Sequence, residues 1–334
     1  MRIFSGIQPT GRKHLGNYIG AITQYVSGQD RGEAIYCVVD LHALTVAYEP
    51  LQLRAAVYDT AALLLASGLD PERCVFFRQS DVVQHPELTW LLMSVTSYGE
   101  LTRMTQFKDK TGKQGDLATA GLFNYPVLMA ADVLAYRAHE VPVGDDQRQH
   151  VELMRDVAVR FNQRFGETLV VPKARIPEVG ARIMDLKFPD RKMSTSTGTP
   201  AGLVYVTDEP DAIAKKFRSA VTDTGSEVRR ARDKPGISNL IDILAAVRGV
   251  GTEAIEQDFE GSQYGTFKTA VAEAVIDFLA PVRERYDALR ADEAGLERAL
   301  ALGAAKAQEI AAGTLADVRA VMGVGPQRPA APLG

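Results

Sequence analysis

The sequence predicts an α/β protein in which a parallel-sheet domain precedes an all-helical C-terminal domain. In the N-terminal half, short apolar runs alternate with stretches of helical periodicity, which is typical of a parallel sheet with helices on both faces. After about Thr207, helical periodicity dominates to the end of the 334-residue chain. The pattern changes over residues 190–205, and we predict a first domain of residues 1–190 and a second of residues 191–334.

Four apolar runs of β type predict the strands of the sheet: Arg2–Ile7, Ala34–Val39, Val75–Arg78 and Glu140–Val143. Three stretches beside them have helical spacing: Leu15–Ser27, Leu51–Ser67 and Gln147–Phe165. The second helix is followed by Gly68, a residue type common just after helix C-termini. Tyr125–Leu134 predicts a further helix with Pro126 in its first turn, where proline is tolerated.

The composition is that of an ordinary globular protein, with 46% apolar and 24% charged residues. A net charge of −4 argues against polyanion binding over the whole surface, although it allows a local basic face. Cys37 and Cys74 lie in apolar runs, which predicts that they are reduced core residues. The sequence contains no cluster of Cys and His residues of the kind that binds zinc. No signal peptide is recognisable, and the most apolar helical stretch, around Ala61 to Gly68, is too short to span a bilayer. We therefore expect a cytoplasmic protein with no membrane partner and no metal site of its own.

A glycine-rich turn follows the first predicted strand, over residues 5–17. Such a turn, where it opens a helix, presents backbone N–H groups and the positive helix end to an anion. His14 and Asn17 stand three residues apart on one helix face, so both can reach phosphate oxygens. A polar turn that only caps a helix is the alternative, and the density of glycines favours the anion site.

His14-Leu15-Gly16-Asn17 resembles the "HIGH" signature of class I aminoacyl-tRNA synthetases, with Asn17 in place of the last histidine. The flanking residues, Gly6 to Gly11 and Gly16 to Gly20, resemble the bacterial tryptophanyl-tRNA synthetases. The resemblance covers nearly the whole chain and implies a Rossmann-like, nucleotide-binding first domain. It also implies that ATP is bound by Gln8, Pro9, Thr10, Gly16 and Asn17. Within that set Gln8 and Asn17, together with His14, would take part in catalysis.

The segment from Arg191 to Gly198 resembles the second class I signature, the "KMSKS" loop. A solvent-exposed connection is the alternative for a Ser/Thr-rich loop taken alone. Thr195 stands where the family usually has a second lysine, and Lys110 resembles a further phosphate-reaching lysine that could supply the charge. Lys192 and Lys110 are therefore predicted catalytic residues. The loop residues implied in ATP binding are Lys192, Met193, Ser194, Thr195 and Ser196.

Two further segments complete the implied ATP site. Asp145 and Asp146 follow a strand and open a helix, so they could cap that helix or accept hydrogen bonds from ribose hydroxyls. The resemblance implies that Gly144, Asp145, Asp146 and Gln147 face the ATP ribose. Ile183 would lie against the adenine by the same resemblance. In isolation, Ile183 is typical of an ordinary core residue.

Asp132 interrupts an apolar helix and shares a face with Met129 and Tyr125. A carboxylate there needs a donor, and indole offers one N–H donor and no acceptor. On the helix alone, a structural partner such as Arg137 or Arg103 is an equal alternative. The family's pattern favours Asp132 as the indole acceptor. The same pattern implies a tryptophan pocket formed with Phe4, Gly6, His42, Tyr125, Met129, Val141 and Val143, although His42 could equally be a satisfied core histidine.

The resemblance implies a tryptophan–tRNA ligase that uses L-tryptophan, ATP with Mg²⁺, and tRNA(Trp), and that forms a homodimer. Three basic stretches of the helical half could anchor tRNA phosphates, or could be a solvated face: Lys216–Asp223, Arg229–Arg232 and Lys234–Leu240. A tyrosyl-tRNA synthetase and a non-catalytic nucleotide-binding paralogue remain rivals. An NAD-dependent dehydrogenase is a weaker one, because the first turn lacks the G-x-G-x-x-G spacing.

Overall fold

The computed structural model describes residues 1–104, 119–144, 147–176, 182–195 and 198–325. A five-stranded sheet lies at its centre, and every strand pairing in it is parallel. The strand order is β3-β2-β1-β4-β5, so that the chain winds outward from β1 first in one direction and then in the other. The carboxyl ends of β1 and β4 flank the point of reversal, where open α/β sheets bind their ligands.

The first half of the described chain alternates strands and helices. In chain order its elements are β1 (Arg2–Ile7), α1 (Leu15–Asn17), a π-helical turn (Tyr18–Ile22), α2 (Thr23–Gly28), β2 (Glu33–Val38), α3 (Asp40–Ala43), α4 (Pro50–Ala66), β3 (Val75–Arg78), a 3₁₀ turn (Gln79–Asp81), α5 (Gln84–Met93), α6 (Tyr98–Arg103), α7 (Ala120–Leu134), β4 (Glu140–Pro142), α8 (Arg148–Phe165) and β5 (Lys173–Arg175). The remainder is helical. Its elements are α9 (Pro210–Arg218), α10 (Pro235–Arg248), α11 (Thr252–Asp258), α12 (Tyr264–Ala291) and α13 (Glu293–Met322).

Two hydrophobic cores lie on the opposite faces of the sheet. Successive side chains of a strand point to opposite faces, and in β2 Tyr36 enters one core while Ile35 and Cys37 enter the other. In β3, Phe76 and Phe77 divide in the same way. The first core also contains most of the buried side chains of α9 to α12, so the helical half packs directly onto one face of the sheet.

The last helix, α13, passes over the edge of the sheet at β3. Leu296 and Leu300 pack in the first core, whereas its later residues from Ala304 to Val318 pack in the second. Gly303 lies at the crossing, because a Cβ there would stand 1.7 Å from the carbonyl oxygen of Phe76. Only glycine lets the helix approach the edge strand this closely.

The four predicted strands are present, with ends within one residue of the prediction. β5 was not predicted; all three of its residues are exposed and two are charged, so no apolar run marks it.

The prediction for Pro126 is wrong, because α7 begins at Ala120 and the proline lies in its interior. Thr119 caps that earlier start by accepting a hydrogen bond from the backbone N–H of Leu122. None of the helices in the described part of the chain has both the length and the apolar character needed to cross a bilayer.

Candidate active site

A cavity of about 480 Å³ opens at the carboxyl ends of β1, β2 and β4. Its size suits a small organic ligand. All eight residues predicted to hold the amino acid line it, together with Gln8, Gly144 and Gln147 from the predicted ATP set. The eight are Phe4, Gly6, His42, Tyr125, Met129, Asp132, Val141 and Val143.

Asp132 is the buried charge of this cavity, with 2% of its surface exposed. Its Oδ1 atom accepts a hydrogen bond from Gln79 Nε2 at 2.7 Å and lies 2.5 Å from His85 Nδ1. Its Oδ2 atom lies 2.7 Å from His42 Nε2. An ionised carboxylate only accepts, so both imidazoles donate to it. The partners are thus two histidines and an amide. The arginine alternative is not what the structure shows, since Arg137 pairs with Asp317.

These donors keep Asp132 ionised. Burial by itself would raise the pKa of its carboxyl, but the charge of His42 and the hydrogen bonds from His42 and His85 outweigh the burial and hold the pKa well below its usual range. The carboxylate in the cavity is therefore ionised at neutral pH.

Three elements bring these groups together. Asp132 and Met129 lie on the cavity face of α7, as the helical spacing predicts. His42 is on α3, directly after β2, and Gln79 is the first residue after β3. Tyr125, also on α7, is anchored by its hydroxyl, which lies 2.8 Å from His150 Nε2 on α8.

The glycine-rich turn folds back on itself before α1. The imidazole Nδ1 of His14 accepts from the backbone N–H of Asn17, and the Asn17 carboxamide accepts from the backbone N–H of His14. This reciprocal cap fixes both side chains at the helix N-terminus. The ammonium of Lys13 donates to the carbonyl oxygens of Gln8 and Thr10, at 2.8 and 3.0 Å. The turn thus places a cation beside a helix N-terminus.

The lysine-bearing loop packs against this turn. Met184 and Lys192 form an isolated antiparallel bridge at the base of the loop. Thr195 lies beside the turn, because a Cβ built on Gly11 would stand 3.7 Å from the Thr195 Oγ1 atom. Gly11 has φ +62°, a left-handed conformation that suits glycine.

His14 lies between the two cationic segments. Burial, followed by the charges of Lys192 and Lys13, lowers the pKa of His14 to about 4. Its imidazole is therefore neutral at physiological pH. Burial also lowers the pKa of Lys13 to about 8. A neutral donor flanked by two lysines is suited to an anionic ligand.

The predicted adenine contact, Ile183, is 2% exposed and belongs to the first core, and its Cβ would lie 3.5 Å from a Cβ on Gly16. Met193 is 1% exposed, so its side chain is also a core residue. Pro9 is buried, whereas Thr10 and Lys192 are exposed, and Ser194 is half-buried. Four predicted site residues lie outside the described residues: Lys110, Asp145, Asp146 and Ser196.

Sequence reasoning missed two members of the site, Gln79 and His85. Both are completely buried. Gln79 had one available signal, because it is a polar residue placed directly after an apolar strand. His85 had none, since its partner Asp132 is 47 residues away.

The predicted tRNA-contacting stretches contain several cations that are already paired. Lys216 bonds to Asp208, and Arg230 forms an ion pair with Asp242. Arg218 and Arg232 are exposed and have no carboxylate partner among the described residues.

Within the described ranges, no three His, Cys, Asp or Glu side chains are grouped closely enough to hold a metal ion.

The sheet order, the helix-opening glycine-rich turn and the lysine-bearing loop packed against it define the class I aminoacyl-tRNA synthetase architecture. A family model described as tRNA synthetases class I (W and Y) matches residues 1–280. The chain belongs to this family.

Its relatives are similar over nearly their whole length. The chain is 54% identical to Tryptophan–tRNA ligase 2 of Streptomyces avermitilis, covering 94% of each chain. It is 51% identical to Tryptophan–tRNA ligase of Mycobacterium leprae, covering 98% of this chain and 97% of that one. Among solved structures, tryptophanyl-tRNA synthetase of Mycoplasma pneumoniae has a TM-score of 0.86 at 35% identity, covering 97% of this chain and 98% of that one. The Campylobacter jejuni enzyme, solved with ADP and tryptophan, has a TM-score of 0.86 at 34% identity, covering 97% of this chain and all of that one.

Proposed function

We propose that this protein is a tryptophan–tRNA ligase, which activates L-tryptophan with ATP and transfers it to tRNA(Trp). The relatives at about half identity carry this activity in their names, and the Campylobacter structure contains tryptophan and ADP. The observation on this chain that carries the proposal is the buried Asp132 carboxylate in a cavity that is also lined by Phe4, Met129 and Val141.

The hydrogen bonds of Asp132 favour tryptophan as its ligand. A carboxylate offers about four acceptor positions. Gln79 and His85 occupy two on Oδ1, and His42 occupies one on Oδ2. One position on Oδ2 is left, which matches the single N–H donor of indole. A tyrosine hydroxyl would also bring an acceptor oxygen into the cavity, where the nearby donors are already committed to the carboxylate.

In the proposed reaction the tryptophan carboxylate attacks the α-phosphorus of ATP, releasing diphosphate and forming tryptophanyl-adenylate. The terminal ribose hydroxyl of tRNA then attacks the activated carbonyl and releases AMP. The protein contributes positioning and charge rather than a nucleophile. The cavity holds the side chain. Gln8, His14 and Asn17 lie at the turn that would receive the phosphates, and Lys192 would stabilise the departing diphosphate.

Magnesium would enter as the counter-ion of ATP, bound by phosphate oxygens. The first turn supplies a lysine ammonium and backbone N–H groups, which suit phosphate rather than a metal ion. Hard cations such as Mg²⁺ take oxygen ligands and keep several waters, so a substrate-borne ion needs no dedicated protein cage.

ATP–diphosphate exchange tests this proposal, with tryptophan and tyrosine as separate substrates. We expect exchange to depend on tryptophan and to be at least about a hundredfold weaker with tyrosine. Tyrosine-dependent exchange would favour a tyrosyl-tRNA synthetase instead. Formation of tryptophanyl-tRNA would exclude a non-catalytic paralogue.

The proposal extends to a cytoplasmic homodimer. Helix α5 begins after Val83 and carries Trp90 seven residues later on the same face, and these side chains are 69% and 73% exposed. Tyr98, at the start of α6, is 74% exposed. Large exposed apolar side chains on adjacent helices are typical of a subunit interface. Sedimentation of the wild-type protein and of Trp90→Glu tests the assembly, since a charge there should shift a dimer towards monomer.

A further inference from the structure

We propose that Lys13 supplies the second cation of the diphosphate site, the charge that a lysine at position 195 brings in the usual family loop. This inference rests on the proposed function, because it concerns the site for the ATP phosphates. Thr195 can donate a hydrogen bond but has no charge to offer a leaving diphosphate. Beyond Lys192, the described part of this turn carries two cations, Arg12 and Lys13, and of these two only Arg12 has a carboxylate partner among the described residues.

The position of Lys13 follows from its hydrogen bonds. Its Nζ atom is held 2.8 Å from the Gln8 carbonyl oxygen and 3.0 Å from the Thr10 carbonyl oxygen. An ammonium has three N–H donors, and no other acceptor among the described residues takes the third. The third donor is therefore available to a phosphate oxygen.

Thr195 lies against the same turn. Its Oγ1 and methyl group would lie 3.7 to 3.8 Å from a Cβ on Gly11, the residue that follows Thr10. A lysine placed at 195 would thus start from the turn that already holds the Lys13 ammonium. The charges of Lys13 and Lys192 both contribute to lowering the pKa of His14, so both lysines lie within electrostatic range of the same imidazole.

The charge of Lys13 is not neutralised by the protein. Within the described ranges, no carboxylate oxygen lies within 4.0 Å of its ammonium. The adjacent cation differs: Arg12 pairs with Asp208 at 3.1 Å and stacks on the Tyr205 ring at 4.3 Å. An unpaired, half-buried ammonium interacts more strongly with an incoming anion than an exposed one. The lowered pKa of Lys13 agrees with this setting.

The test is a double-mutant cycle in tryptophan-dependent ATP–diphosphate exchange, with wild type, Lys13→Met, Thr195→Lys and the double variant. We expect Lys13→Met to lower kcat at least about tenfold, because the charge acts on the departing diphosphate. Thr195→Lys alone adds a charge where Lys13 already supplies one, so it should raise kcat by a smaller factor than it does in the Lys13→Met background. In the Lys13→Met background it should restore kcat at least about threefold, since one cation then replaces the other.

Two further variants separate charge from structure. Arg12→Met removes a neighbouring cation that the protein already pairs, and it should lower kcat less than about threefold. Lys13→Arg retains the charge, and it should keep more activity than Lys13→Met. It should also remain active above pH 8, where wild-type Lys13, with its pKa lowered by burial to about 8, loses its proton.

The inference is overturned if Lys13→Met retains wild-type kcat. It is also overturned if the two positions are additive, because a merely structural lysine is not rescued by a charge at 195. Wild-type exchange is the reference for both outcomes. Its absence would contradict the proposed function, whereas exchange with additive variants would contradict only the role of Lys13.

Discussion

His85 Nδ1 lies 2.5 Å from Asp132 Oδ1, and the opposite ring nitrogen of His85 lies 2.6 Å from the Tyr136 hydroxyl. The imidazole is completely buried and joins α5 to α7. Because Nδ1 donates to the carboxylate, a neutral His85 accepts at Nε2 from Tyr136. The hydrogen bonds of His85 to Asp132 and to Tyr136 thus help to fix the orientation of the Asp132 carboxylate.

His85→Leu should raise the KM for tryptophan about tenfold, because it removes a buried donor to the carboxylate. The pKa of Asp132 should rise at the same time, so that the KM becomes pH-dependent at acid pH. His85→Gln keeps an N–H donor and should lose less. Tyr136→Phe is the matched control, since it leaves the contact between His85 and Asp132 in place. A wild-type KM for tryptophan in His85→Leu would show that His85 has no positioning role.

Asp132→Ala should raise the KM for tryptophan at least about tenfold and leave the KM for ATP within about twofold. It also leaves the buried donors of Gln79, His42 and His85 without their acceptor, which should lower the free energy of unfolding by about 2–4 kcal/mol. Asp132→Asn can keep its carbonyl oxygen towards the indole and should bind better than the alanine variant. Steady-state exchange kinetics and urea unfolding measure the two effects. Unchanged tryptophan binding in Asp132→Ala would mean that the amino acid lies elsewhere.

Lys192→Gln should lower kcat for adenylate formation far more than it raises the Kd for ATP, because the charge is used as diphosphate departs. Single-turnover kinetics separate the two quantities. Arg191→Gln is the control, since Arg191 is an exposed neighbour whose Nε atom lies 3.9 Å from an oxygen of the Asp190 carboxylate. Weakened ATP binding at unchanged kcat would show instead that Lys192 binds ATP in the ground state and does not stabilise the transition state.

His14 should make the protein less stable in mild acid. Its folded pKa is about 4 and its ordinary value is 6.5, so the unfolded chain binds a proton first as the pH falls. Stability is unaffected above pH 6.5 and is lost between pH 6.5 and 4, by up to about 3 kcal/mol. His14→Asn keeps a helix cap but does not titrate. Chemical unfolding of both proteins at several pH values measures the free energy of unfolding as a function of pH. If this free energy falls equally steeply with pH in both proteins, the lowered pKa of His14 is contradicted.

The sequence predicted the sheet well because its strands β1 to β3 are apolar and buried on both faces. It predicted the pocket less completely. Asp132 stood out as a carboxylate on an apolar helix, but Gln79 and His85 become its partners only through packing of distant elements. Pro126 was misplaced because a residue type that favours a first turn is also tolerated inside a helix when packing supports it. β5 was missed because nothing apolar marks an exposed edge strand.

The packing of α13 across the edge of β3 has a consequence for biosynthesis. The ribosome makes a chain from the N-terminal side onward, so these 30 helical residues emerge after all five strands of the sheet. Until they do, the outer edge of β3 stays open to pairing with a neighbouring nascent strand, and both hydrophobic faces lack side chains that fill them in the finished protein. A stop codon within this helix would therefore release a chain that has every residue of the candidate active site and an unprotected sheet.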